Sequence, residues 1–167
     1  GVQIWTGSGL AEVAIINNTI VSNTNDAVGV GDGTVLVRNN ALYGHQKGGG
    51  INQYGDSTIT SDHNVFWDNG WSSDVAFGTG DTEVDPLFVG PADGDFHLQA
   101  DSPCIDAGSS IAAPNVDIED TPRDPAPDIG AYEWGSHRIF VPLVVRNTGG
   151  EPEETATLPL APGCELT

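Results

Sequence analysis

A nine-residue phrase, Val35 to Tyr43 (VLVRNNALY), is rewritten along the chain, and the interval between copies restricts the fold more than any other feature. An upstream copy runs from Val13 to Val21 (VAIINNTIV) and a downstream copy from Thr58 to Trp67 (TITSDHNVFW). A degenerate fourth copy is read at Thr82 to Val89 (TEVDPLFV). The spacing is 22 residues from Asn18 to Asn40, 24 from Asn40 to Asn64 and 22 from Asn64 to Pro86. A repeat of this length with no helical pattern inside it stacks as a solenoid of β-rungs.

A second phrase recurs in step with the first. Gly1 to Gly7 (GVQIWTG) aligns with Ala27 to Gly33 (AVGVGDG), Gly50 to Gly55 (GINQYG) and Asp74 to Gly80 (DVAFGTG). Alternating inward residues followed by glycine read as a strand and then a turn. One rung is therefore strand, Asn corner, strand, variable loop, strand and Gly turn. Asn suits the corner because it tolerates left-handed backbone, and its amide, stacked at about 4.8 Å, can hydrogen-bond from rung to rung. Asn17 opens a formal glycosylation sequon but falls in this corner, where it is expected to be inaccessible.

Gly 22 and Pro 11 among 167 residues favour turns and argue against a helical protein. With 24 acidic residues against five basic ones, the formal charge of -19 repels phosphate backbones and anionic lipid. Nucleic-acid and membrane-surface binding are therefore poor readings, and no apolar run approaches the ~20 residues that span a bilayer. The chain contains no Met and starts at Gly1, as expected of one that is processed, cut or partly observed. Cys104 and Cys164 fit either one bridge in an oxidising compartment or two unrelated thiols.

Further along, DPLF from Asp85, GDFHL from Gly94, SPCIDAG from Ser102 and DIGAYE from Asp128 occur in that order. Together they resemble the C-terminal end of bacterial secreted right-handed parallel β-helix proteins. These are pectate-lyase-like solenoids, including the group with a choice-of-anchor C-terminal region. The resemblance covers roughly Ala11 to Trp134; Cys104 and the Asp117–Arg123 segment depart from the pattern. It supports an all-β fold, a right-handed single-stranded parallel β-helix of about three and a half to four rungs. The expected divisions are rungs over 1–108, a closing segment over 109–135 and an extended apolar strand with a linker-like tail over 136–167. The resemblance implies a secreted protein, extracellular or on a bacterial cell surface, and with it a Cys104–Cys164 disulfide.

Enzymes of the resembling group act on acidic polysaccharides, with a Lys or Arg base and Ca²⁺ or with paired Asp acids. Lys47 beside His45, with Arg38 near it by stacking, is the one candidate base, and a solvated Lys in a Gly-rich loop explains it more simply. Without paired acids the chain leans away from catalysis; if it is an enzyme, it is polysaccharide-lyase-like. Asp93, Asp95, Asp117, Glu119 and Asp120 form a candidate Ca²⁺ set, the one cofactor the residues suggest, although exposed acidic turns account for them as well. Arg123 is read as pairing with a carboxylate to lock the closing segment. Trp71, Tyr54 and His45 are candidate carbohydrate contacts, on the variable loops His45–Gly49 and Asp68–Ser73 and beside them.

The first strand, with Val2 and Ile4, is expected to lie open for want of a cap. Ile139, Phe140, Val141, Leu143, Val144 and Val145 form an apolar strand able to add to a neighbour. Both features favour an extracellular structural β-solenoid, a surface or filament subunit joined head-to-tail to identical copies. The alternatives are the non-catalytic C-terminal part of a polysaccharide lyase or hydrolase, and a carbohydrate-binding surface module.

Overall fold

The computed structural model describes residues 1–5 and 12–135. In chain order the strands are β1 (Val2–Ile4), β2 (Glu12–Ile16), β3 (Thr19–Val21), β4 (Val28–Val30), β5 (Gly33–Arg38), β6 (Ala41–Tyr43) and β7 (Gly49–Gln53). They continue with β8 (Ser57–Asp62), β9 (Val65–Trp67), β10 (Trp71–Ser73), β11 (Thr82–Glu83), β12 (Phe88–Gly90) and β13 (Asp95–Leu98). Each rung strand pairs in parallel with its equivalent one repeat later. The sheets are β1-β4-β7-β10, β2-β5-β8 and β3-β6-β9-β11. Three full rungs and a partial fourth make the expected parallel β-helix.

Side chains stack in register down the interior. Val13, Val35 and Ile59 form one column, Ile15 and Val37 head another, and Ile20, Leu42 and Phe66 form a third. Val35, Val37, Leu42 and Phe66 are fully buried. β-branched residues dominate because their fixed χ1 fits a pleated surface packed on both sides.

Both corners beside the third sheet follow one rule. At the first, Asn17, Asn39, His63 and Gly80 take left-handed φ of 53°, 55°, 53° and 73°. Each is followed by a ladder residue: Asn18, Asn40, Asn64 and Asp81. At the second corner Ser22, Gly44 and Asp68 are left-handed, at 50°, 77° and 54°, ahead of Asn23, His45 and Asn69. The loop expected to vary between the second and third strands of a rung therefore begins with a second ladder.

The fourth rung differs from the sequence reading. Ser73, not Val75, pairs with Ile51, and Trp71 lies in β10 instead of a loop. After β10 the chain cuts across the end of the solenoid. Val75 packs on the core, and Phe77 stacks on Phe66 with centroids 5.0 Å apart. This shortcut omits a strand above β8, so the corner falls at Asp81 and not at Pro86, 17 residues after Asn64.

Beyond Glu83 the chain leaves the helical path. It was expected to continue stacking to residue 108, but β12 and β13 form an antiparallel pair, Phe88 opposite Leu98, with a bulge between Phe88 and Gly90. This pair and the segment after it lie on the outer side of the third sheet. Ala41 and Val65 meet Phe88, Leu98, Cys104 and Ile129 there in a second core. The third sheet is thus buried on both faces, with Leu42 and Phe66 pointing into the solenoid and Ala41 and Val65 pointing out.

Candidate functional site

The ladders hold three fully buried polar side chains, Asn40, His45 and Asn64. At the first corner, the Asn40 carboxamide oxygen accepts from Asn18 N–H at 3.0 Å and Asn18 Nδ2 at 3.1 Å. Asn64 Oδ1 accepts from Asn40 N–H at 2.9 Å and Nδ2 at 3.0 Å, and Asp81 Oδ1 takes the same pair from Asn64 at 2.8 and 2.9 Å. The other Asp81 oxygen accepts from the Ser61 hydroxyl at 2.6 Å and Gly78 N–H at 2.8 Å. A carboxylate suits this last place because it only accepts.

His45 belongs to the second ladder, which corrects its expected role as a sugar contact. Its ring is fully buried. Nε2 lies 3.0 Å from the Ile20 carbonyl and so carries the proton, while Nδ1 accepts Asn23 N–H at 3.2 Å. Asn69 makes the same bonds one rung later, accepting from His45 N–H at 3.0 Å and donating to the Leu42 carbonyl at 2.8 Å. Burial pushes the His45 pKa below its ordinary 6.5. A base harder to protonate when folded has its full stabilising effect above 6.5 and loses it as pH falls through the folded value. His45→Asn is therefore expected to fold and to lose that part of the acid sensitivity, read as the difference between the two variants' denaturation midpoints from pH 7.5 to 4.5. Asp128 does not confuse this difference. Burial pushes its pKa up to about 6, so its contribution has the opposite sign, is lost as pH rises, and is common to both proteins.

Tyr54 and Trp71 both lie along the first sheet, Tyr54 just after β7 and Trp71 opposite Gly49 at the start of β10, with a third aromatic residue that was not among the expected contacts. Trp5 stacks on Tyr54 with centroids 6.0 Å apart and planes 20° from parallel. The two rings meet over Gly31, where a Cβ would collide with the Trp5 indole. Trp71 lies against Gly49 in the same way. Asp26 joins the two ends, since its carboxylate accepts from Gly49 N–H at 2.8 Å, Asn52 Nδ2 at 3.1 Å and the Tyr54 hydroxyl. Burial works to raise the Asp26 pKa, but the bonds from Tyr54, Gly49 and Asn52 outweigh it and hold the value below the usual carboxylate range. The aromatic rings remain solvent-facing, Trp5 at 65%, Tyr54 at 50% and Trp71 at 42% exposure. The alignment of Trp5 with Gly31 and Tyr54 was the available signal, because glycine at one rung makes room for a large ring at the next.

The other candidates separate. Arg38 is taken up by Asp62, with contacts of 2.6 and 2.7 Å, and by the Ile111 carbonyl at 3.0 Å, so it does not join Lys47. Lys47 lines a shallow cavity of about 190 Å³ with Asn23, Thr24, Gly44 and Gln46.

The five proposed calcium ligands do not converge, and among the described residues no three His, Cys, Asp or Glu side chains are arranged to hold a metal. Asp117 instead organises a turn, accepting from Glu119 and Thr121 N–H at 2.8 Å each and from Glu133 N–H at 2.9 Å. Asp95 and Glu119 clasp His97 at 2.6 and 3.1 Å, and these bonds raise its pKa. Asp93 and Asp120 are exposed.

Arg123 locks the closing segment as expected, although its partner is Glu133, at 2.7 Å, and not one of the neighbouring aspartates. Cys104 is fully buried and its thiol is pushed up to about 12 by burial; Cys164, its expected partner, lies outside the described residues. Val2 is 38% exposed on the edge strand β1, as expected, while Ile4 is only 8% exposed and so is not open as expected. The segment expected to form an apolar strand, with Ile139, Phe140, Val141, Leu143, Val144 and Val145, also lies outside the described residues.

Stacked corners and a column-packed interior define a single-stranded parallel β-helix. The family described as "Right handed beta helix region" matches residues 1–119, and the chain belongs to it. No curated protein and no solved structure matches the chain significantly.

Proposed function

We propose that this chain is an extracellular, non-catalytic β-solenoid module that binds polysaccharide on the outer face of β1, β4, β7 and β10. The observation that carries this reading is the exposed Trp5–Tyr54 stack, tied to Asp26 and Asn52 through the Tyr54 hydroxyl, with the exposed Trp71 against Gly49 on the same sheet. Flat rings stack on the apolar face of a sugar, and adjacent amides and carboxylates bond to its hydroxyls. Exposed rings held over glycine floors are pre-organised, which limits the ordering cost of binding.

Trp71→Ala and Tyr54→Ala are each expected to weaken retention in affinity gels containing polysaccharide by roughly three- to tenfold. Unchanged retention in both variants would remove the sheet face from consideration. A second reading, self-assembly into a surface filament with identical subunits, is supported by the partly exposed Val2 on β1. Negative-stain images showing only single particles at high protein concentration would count against it.

A further inference from the structure

The aromatic face differs from its surroundings in charge as well as in shape. None of the described Lys or Arg residues lies on β1, β4, β7 or β10. Arg38 is on β5, bound to Asp62, and Arg123 is buried against Glu133. Lys47 borders the sheet from the turn before β7, and His45 beside it is buried with Nδ1 accepting and Nε2 donating. Carboxylates, in contrast, surround the rings. Asp26 bonds to the Tyr54 hydroxyl, Asp74 accepts from Gln53 N–H at 3.3 Å, and Asp32 and Asp56 follow β4 and β7 in the turns next to Gly31 and Tyr54.

We infer that the ligand of this face is a neutral polysaccharide and that polyuronates are excluded from it. This rests on the polysaccharide-binding reading above and specifies its chemistry. A uronate chain carries a carboxylate on every sugar. Laid across the Trp5–Tyr54 stack and Trp71, it would bring those charges to Asp32, Asp56 and Asp74 and over the buried Asp26, and among the described residues Lys47 is the one Lys or Arg that borders the sheet. Like charges brought together in this way act against a partner without any steric clash. Neutral sugars meet no such cost, and the part-buried Asn52 amide, held by the buried Asp26 carboxylate, can bond to hydroxyls. The whole-chain charge of -19 adds a longer-range field of the same sign.

The test compares the full chain on a neutral set (xyloglucan, glucomannan and mixed-linkage β-glucan) with polygalacturonate, by affinity gel and calorimetry, at 20 mM and 500 mM NaCl. The expected result is binding to at least one neutral polymer that is about tenfold or more tighter than to polygalacturonate and is insensitive to salt. That binding is also expected to fall in Trp71→Ala. Equal or tighter binding to polygalacturonate, lost in the same variant, would overturn the exclusion and leave the glycan-binding reading standing. Binding to neither class at either salt would overturn both. A double variant, Asp32→Asn with Asp56→Asn, supplies an independent arm because both residues lie in turns outside the core. It is expected to improve polygalacturonate binding at 20 mM NaCl, and no change would argue against charge as the cause.

Discussion

Arg123→Ala lowers the unfolding free energy by about 3–5 kcal/mol, the cost of breaking a buried ion pair by removing one partner. The Arg123 and Glu133 side chains are 3% and 2% exposed, so water replaces little of what is lost. The guanidinium also donates to the Gly130 carbonyl at 2.9 Å and the Ala131 carbonyl at 3.2 Å. Glu133 in turn accepts from Asp124 and Asp128 N–H at 3.1 Å each. Without Arg123 the buried Glu133 carboxylate keeps only backbone N–H donors. Because Ile129 and Gly130 bind Cys104 and Asn39 through their backbones, the loss is expected to spread to the flank of the solenoid. Urea denaturation gives the magnitude, and amide exchange at Ile129 and Gly130 gives the location. An unchanged midpoint would show that the closing segment is held by its apolar contacts alone. Arg123→Lys is expected to recover only part of the loss, since an ammonium cannot reproduce the planar fork that reaches Glu133 and two carbonyls together.

Asn40→Ala costs about 3 kcal/mol or more, because one deletion strands several groups, each worth ~1–3 kcal/mol when buried and unpaired. The Asn18 N–H loses its acceptor, and the Ile15 carbonyl loses a 2.8 Å bond from Asn40 Nδ2. Asn64 Oδ1 loses one of its two donors. Asn40 is fully buried, whereas Asn18, the same residue type in the first rung, is exposed. Asn18→Ala is accordingly expected to cost about 1 kcal/mol, the net worth of a typical hydrogen bond. Thermal melts of the two variants check the ratio. Similar losses in both would mean that the amides serve as corner formers and that their stacking contributes little.

The contrast between these asparagines shows how far the sequence could be read. Their spacing identified the corner, the strands around it and the parallel stacking. The second ladder was equally regular, since Asn23, His45 and Asn69 repeat at 22 and 24 residues. It was overlooked because a histidine replaces an amide there, and a lone His beside a Lys reads more readily as chemistry than as structure. The displaced fourth rung had no comparable signal. Thr82-Glu83 fits a strand in either position, and only the packing of Val75 and Phe77 over the open core determines that the chain takes the short path. Likewise Arg123 stands among three aspartates in sequence, and its partner became apparent only when the chain reversal brought Glu133 back to it.

By itself the sequence determined the repeat, the left-handed corners and the inward columns, because each depends on residues near one another in the chain and on a period that conformational preference enforces. The tertiary structure alone decided where the stacking stops and which face of the third sheet receives the closing segment. Those outcomes depend on which apolar surface remains uncovered once the rungs are built, a property of the assembled solenoid that no local pattern records.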